Sequence, residues 1–214
     1  MSSGKPARRK RSPQKQRSGD RTGARDAILA AAHQLFAARG YSGTSTIAIA
    51  EQVGMRAPAL YWHFASKEAI LFAIIERSFA DFHRSLRFTA DGPEARLTEL
   101  VRSYVTFQLE QSPETAVFSS YPALSMLGNI LTEEHQDQLR AMQREVYELF
   151  KECLTSGAVS GEFRIGDTSV TAFAMISLCE YVNTWAQQGG KRTPREIAAE
   201  YVVFALRMAG VAGY

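Results

Sequence analysis

Residues 54 to 67 read Gly-Met-Arg-Ala-Pro-Ala-Leu-Tyr-Trp-His-Phe-Ala-Ser-Lys, and this stretch decides the fold. Pro58 suits the first turn of a helix, where its missing N–H costs nothing. Leu60 and Phe64, four apart, give a short helix one buried side. The other side carries Arg56, Ala57, Ala59, Tyr61, Trp62 and His63, with Lys67 following. Hydroxyl, imidazole and cationic groups are the donors that hold phosphates and read base edges. A short helix with one buried and one donor-rich side is what a helix-turn-helix recognition element requires. The alternative makes Tyr61 and Trp62 core aromatics of a small helical domain and His63 a structural residue.

The upstream residues supply the rest of such a unit. Ile28, Leu29, Ala32, Leu35 and Phe36 recur at helical spacing, and Gly40 closes the run. Ser45 or Thr46 caps a second short helix, with Ile47, Ala50 and Val53 expected to face inward. Gly54 supplies the turn into the recognition helix, and Ser66 caps a long helix starting near Lys67. A cation at that helix start is not favoured by the helix dipole. Three helices with a tight Gly-containing turn fit the helix-turn-helix plan.

Residues 25 to 75 resemble the DNA-binding domain of the tetracycline-repressor (TetR) family. The likeness covers Leu-Phe-Ala-Ala-Arg-Gly-Tyr ending the first helix, Thr44-Ser-Thr, Ile49-Ala-Glu-Gln-Val-Gly, Leu60-Tyr-Trp-His-Phe and Ser66-Lys67-Glu68. The resemblance implies phosphate contacts at Ser45, Thr46, Tyr61, His63 and Lys67. It implies base reading at Arg56, Ala57, Pro58 and Ala59, with Trp62 close to the DNA backbone. Ala57 and Ala59 stand where some members carry longer polar side chains, so hydrogen-bond readout is thin. Arg56 suits a guanine, the two alanines suit thymine methyls, and DNA shape is expected to supply much of the remaining selectivity.

Charge is unevenly spread. Residues 1–25 hold nine Lys or Arg against one acid, Asp20, a net +8; the whole chain is +3, which leaves −5 for residues 26–214. Residues 1–21 read as a disordered basic arm, either lying along DNA or serving as a solubilising extension. No apolar stretch follows these charges as a secretory signal requires, and no later run reaches the length of a membrane span, so a cytoplasmic protein is expected. The two cysteines, Cys153 and Cys179, do not suggest a disulfide framework. His33, His63, His83 and His135 lack metal-ligand spacing, and no phosphate-cradling Gly loop or nucleophile motif is present. Neither an enzyme nor a cofactor is expected.

The remainder reads as helices, giving an all-α chain of about nine to ten: a helix-turn-helix domain over 22–68 and a helical effector-binding and dimerisation domain over 69–214. Asp91-Gly92-Pro93 ends the long helix. Further helices are expected at 94–111, on either side of Pro122, and over 133–156, 168–188 and 194–209. Gly157, Gly161 and Gly166 mark a loop anchored by Phe163. The TetR resemblance implies an effector cavity, with Phe82, Leu86, Tyr104, Phe107, Phe118, Tyr121, Met126, Met142, Phe150 and Phe173 as candidate lining; an ordinary packed core is the alternative. Apolar walls of this kind suit a hydrophobic or amphipathic effector. The second domain is loosely similar to members that respond to fatty-acyl or steroid thioesters.

The last two helices carry small residues (Ala172, Ala174, Ser177, Ala198, Ala199, Ala205, Ala209) and large apolar ones (Ile176, Val182, Trp185, Ile197, Tyr201, Phe204, Met208). Together they predict a four-helix homodimer interface and a palindromic double-stranded DNA operator. Glu180, Asn183 and Gln187 read as a polar edge. The function expected is a repressor released by a small-molecule effector. The alternative is a dimeric DNA-binding protein without small-molecule control, acting through nucleoid or protein partners.

Overall fold

In the computed structural model, which describes residues 13–86, 88–111, 129–186 and 190–214, every regular element among the described residues is an α-helix. The chain divides into one unit over Met1–Leu71 and a second over Phe72–Tyr214.

The first unit holds α1 (Pro13–Arg39), α2 (Thr46–Gln52), α3 (Ala57–Leu60) and the start of α4 (Lys67–Ser85). Its core gathers Ile28, Ala32 and Phe36 of α1, Ile49 and Ala50 of α2, Leu60 of α3, then Phe64 and Ile70. Ser45 is the cap of α2, its Oγ accepting from Ala48 N–H at 3.1 Å. The turn after α2 is a Schellman closure: Gly54 N–H reaches Glu51 O and Met55 N–H reaches Ala50 O. That closure needs a left-handed residue, which Gly54 provides at φ 67°. Ser66 caps α4 through Ala69 N–H.

Lys67 is also engaged within the fold. Its Nζ donates to Tyr41 O and Thr44 O, both at 2.8 Å, and lies 4.1 Å from the centre of the Tyr41 ring. The ammonium thereby ties the loop between α1 and α2 to the first turn of α4. These acceptors offset the unfavourable dipole at the start of α4.

Two expectations are corrected here. The arm predicted to be disordered over 1–21 is helical from Pro13, since extending an existing helix needs no new nucleus; its first twelve residues lie outside the described set. Ile47 does not face inward but is 57% exposed. At about 100° per residue it stands about 160° round the helix from Ile49, which is fully buried.

The second unit is organised by α5 (Pro93–Glu110), which packs against α6 (Glu133–Ser160), α7 (Thr168–Glu180), α8 (Val182–Trp185) and α9 (Pro194–Met208). Leu97, Leu100, Val101, Tyr104 and Val105 give α5 a buried face of almost no solvent contact. Cys153 Sγ donates to Pro93 O at 3.3 Å, joining α6 to the start of α5. Both cysteines are free and buried, and burial pushes the Cys153 thiol up to about 11 and the Cys179 thiol up further. A capping box between Thr193 and Glu196 starts α9.

Gly157 is not in a loop: α6 runs through it to Ser160. The reason is Phe163, whose ring lies against the helix so closely that a Cβ on residue 157 would sit 2.1 Å from Cδ2. Phe163 N–H donates to Gly157 O at 2.9 Å, which fixes the return of the chain. The single helix expected over 168–188 is instead broken at Tyr181.

Two stability predictions follow from these contacts. Lys67→Met removes two charge-assisted hydrogen bonds and should cost about 2–3 kcal/mol in chemical denaturation; an unchanged midpoint would remove Lys67 from the fold. Gly157→Ala gains about 1 kcal/mol of helix propensity but overpacks Phe163, for a net loss of about 1–2 kcal/mol. A stabilised variant would mean the ring yields freely.

Candidate DNA-reading surface and effector domain

Leu60 has no solvent contact and Phe64 very little, so α3 and the turn after it are held from one side. The opposite side is open. Tyr61 is 52% and Trp62 82% exposed, which rules out the reading of these rings as core. Tyr61 OH lies 3.2 Å from Thr46 Oγ1, linking the end of α3 to the start of α2. Arg56 is exposed immediately before α3 and makes no side-chain cap there; Pro58 is exposed, and Ala57, Ala59 and His63 are half-buried. Arg25 lies over the Phe64 ring, its guanidinium carbon 4.4 Å from the ring centre.

Arg56, Tyr61 and Trp62 are thus presented to solvent on the helix-turn-helix, with Thr46 half-buried beside Tyr61. Ser45 has its oxygen occupied by the α2 cap, though a hydroxyl that accepts keeps a proton to donate. Lys67 uses two of its three ammonium protons within the fold. Ile47 was missed as a surface residue: periodicity grouped it with Ala50, and only the position of Ile49 shows which way α2 faces.

In the second unit, part of the expected cavity lining forms a packed cluster. Phe82 meets Tyr104 edge-on at 4.6 Å and Phe107 at 5.1 Å, and Tyr104 lies 6.1 Å from Phe150. Leu86 is buried in the same core. Phe118, Tyr121 and Met126 lie outside the described residues. Phe173 does not line a cavity: it is 61% exposed and stacks on Tyr147 at 4.6 Å. Its α7 neighbours Ala172 and Met175 take the inward positions instead.

Glu180 is no polar edge. Tyr104 OH donates to Glu180 Oε1 at 3.1 Å, and burial raises the Glu180 carboxyl to about 7. Burial, then the Glu180 charge, raises Tyr104. Gln108 is also buried on α5, one turn after Tyr104, and its Oε1 has no partner among the described residues. Sequence reading missed Gln108 because one amide on an apolar helix carries no periodic signal.

Between α4 and α6 run two adjoining open grooves of about 660 and 390 Å³. Met142 lines the smaller one, and His83 Nε2 lies 3.7 Å from Glu145 Oε2 where both grooves meet. Arg84, Arg140 and Arg144 are outnumbered there by Glu76, Asp137, Glu145, Glu148 and Glu152.

The outer face of α7 to α9 leaves large apolar side chains uncovered: Val170, Phe173, Tyr181, Trp185, Phe204 and Met208. Trp185 is steadied by an Nε1–H bond to Tyr201 OH at 3.1 Å. Several residues expected at an interface belong instead to this unit's own core, namely Val182, Ile197 and Tyr201, with Ala172, Ala198, Ala205 and Ala209. Trp185, Phe204 and Met208 remain outward, together with the small Ala174, Ser177 and Ala199. Trp185, Tyr201 and Phe204 lie ring to ring there, and exposed apolar surface marks an interaction face when it is contiguous.

Known proteins share this architecture. Residues 28–74 match the model for bacterial regulatory proteins of the tetR family, and residues 90–209 that for the tetracyclin repressor-like C-terminal domain. The repressor KstR2 of Rhodococcus jostii is 28% identical over 193 residues, 87% of this chain and 91% of that one. The repressor NicS of Pseudomonas putida is 30% identical over 169 residues, 77% of each chain. A tetR-family regulatory protein from Rhodococcus RHA1 superimposes with a TM-score of 0.76 at 32% identity, covering 88% of this chain and 98% of the other. AibR, solved with isovaleryl coenzyme A and operator DNA, gives 0.71 at 25% identity, covering 84% and 96%. With its helix-turn-helix surface open and both domains matched, this chain belongs to the TetR family and is a DNA-binding transcriptional regulator.

Proposed function

We propose that the protein is a cytoplasmic, non-enzymatic repressor that binds a palindromic operator as a homodimer and is released by an amphipathic effector. The observation that carries this is the uncovered Tyr61–Trp62 pair, tied through Thr46 to α2 on a helix-turn-helix. Tyr61, Thr46, Ser45 and His63 are the phosphate partners in this reading, and Arg56, Ala57, Pro58 and Ala59 face the bases. Lys67 acts by holding the loop that positions α2.

The dimer forms through the outer face of α7 to α9, where Phe173 joins Trp185, Phe204 and Met208. The effector occupies the second unit beside Phe82, Phe107 and Tyr104, and the Tyr104–Gln108–Glu180 group supplies the polar end such a molecule needs. An acyl or steroid thioester fits these walls, and AibR, bound to isovaleryl coenzyme A, is a relative with that class of ligand. The acid excess of the α4–α6 grooves sets a constraint on this assignment. A polyanionic nucleotide arm is repelled there, so it must leave the domain elsewhere. Control then consists of the effector's differential affinity for two arrangements of the second unit. The packing of Phe82, Tyr104 and Phe150 on one another favours a second reading, a dimeric DNA-binding protein without an effector.

Fluorescence anisotropy with the DNA upstream of the protein's own gene tests the main proposal. Saturable binding with two protomers per site, reversed by an acyl thioester, is expected; binding erased by nonspecific competitor would refute it at that site. Tyr61→Ala should weaken binding to every duplex alike, by about tenfold, because phosphate contacts carry no base information. A loss confined to one sequence would reassign Tyr61 to base reading. Phe173→Glu places a charge on the apolar face without touching the core, so sedimentation should show a folded monomer.

Glu180 supplies a pH test. Its folded carboxyl, near 7, is raised from an ordinary 4.5. The protonated form therefore favours the fold below pH 4.5, and that contribution is lost as pH rises through about 7. Glu180→Gln should gain stability relative to the parent between pH 5 and 8, by at most about 3 kcal/mol. A constant difference across that range would mean the carboxyl titrates normally.

A further inference from the structure

Ile47 is an exposed apolar residue next in the chain to the α2 contact with the reading helix, and nothing in the fold accounts for it. It follows Thr46, whose hydroxyl meets Tyr61, in the first turn of α2, and it is 57% exposed. A β-branched residue there forms helix less readily than Ala or Lys, so local structure does not favour it. Nor does the core, which α2 enters through Ile49 and Ala50. An isoleucine has no donor for a phosphate. On a DNA-facing surface its complement is the one apolar group displayed in the major groove, the C5-methyl of thymine.

We infer that Ile47 is a specificity residue that reads a thymine methyl in each operator half-site. The inference rests on the DNA-binding reading of the helix-turn-helix and adds a contact from α2 to those of α3. It matches the character of the neighbouring α3 positions, where Ala57 and Ala59 also lack hydrogen-bonding groups. Selectivity on this surface then comes from shape and methyl contact, with Arg56 as the polar exception.

Replacing a thymine by deoxyuridine removes the methyl and preserves every hydrogen bond of the base pair, so the contact can be isolated. Duplexes bound by the full-length protein are first selected from a random pool. The thymines of a recovered duplex are then changed singly to deoxyuridine, and Kd is measured for the parent and for Ile47→Ala. Because the side chain is exposed, the variant should keep the parent's thermal midpoint.

The expected result is one thymine per half-site whose methyl is worth about fourfold in affinity to the parent and nothing to the variant. Penalties at thymines read by Ala57 or Ala59 should persist in both proteins. If every deoxyuridine penalty survives in Ile47→Ala, or the variant weakens all duplexes equally, the inference is overturned while the DNA-binding reading stands. Recovery of no preferred duplex would overturn both.

Discussion

A four-residue helix cannot sustain itself in water, so the reading surface depends on the burial of Leu60 and, one turn later, Phe64. These two side chains fix the rotation of α3 and thereby the exposure of Tyr61 and Trp62. The Schellman closure at Gly54 and the Ser45 cap set α2 against the same core. Lys67 completes the arrangement by holding the carbonyls of Tyr41 and Thr44, so a cation expected at DNA also stabilises the frame that presents other groups to it.

Much of this first unit was legible in the residues. Caps, the glycine turn and the i,i+4 pair Leu60–Phe64 are local signals, and they placed the helices correctly. What escaped were facts set by distant partners. The Lys67 ammonium is claimed by carbonyls more than twenty residues earlier in sequence. Ile47 points outward because a seven-residue helix has room for only one buried side. Gly157 looks like a loop marker until Phe163 is seen to occupy the space of its missing side chain.

The second unit was less legible because its amphipathic signals are ambiguous. α7 and α9 are apolar on more than one side, one side serving the unit's own core and the other exposed. Spacing alone could not assign Tyr201 inward and Phe204 outward, or Ala172 inward and Phe173 outward. The polar group at Tyr104, Gln108 and Glu180 joins residues more than seventy positions apart, and its members carry no shared motif. A carboxyl near 7 inside an otherwise apolar core is a variable charge at neutral pH.

The two cysteines have a practical consequence. Thiol reagents attack the thiolate, and burial suppresses that form at both Cys153 and Cys179. The native chain should therefore be silent towards maleimide dyes. A cysteine introduced at Val159, which is 84% exposed near the end of α6, becomes a selective point of attachment. A fluorophore there can follow the environment of α6 without replacement of either native sulfur.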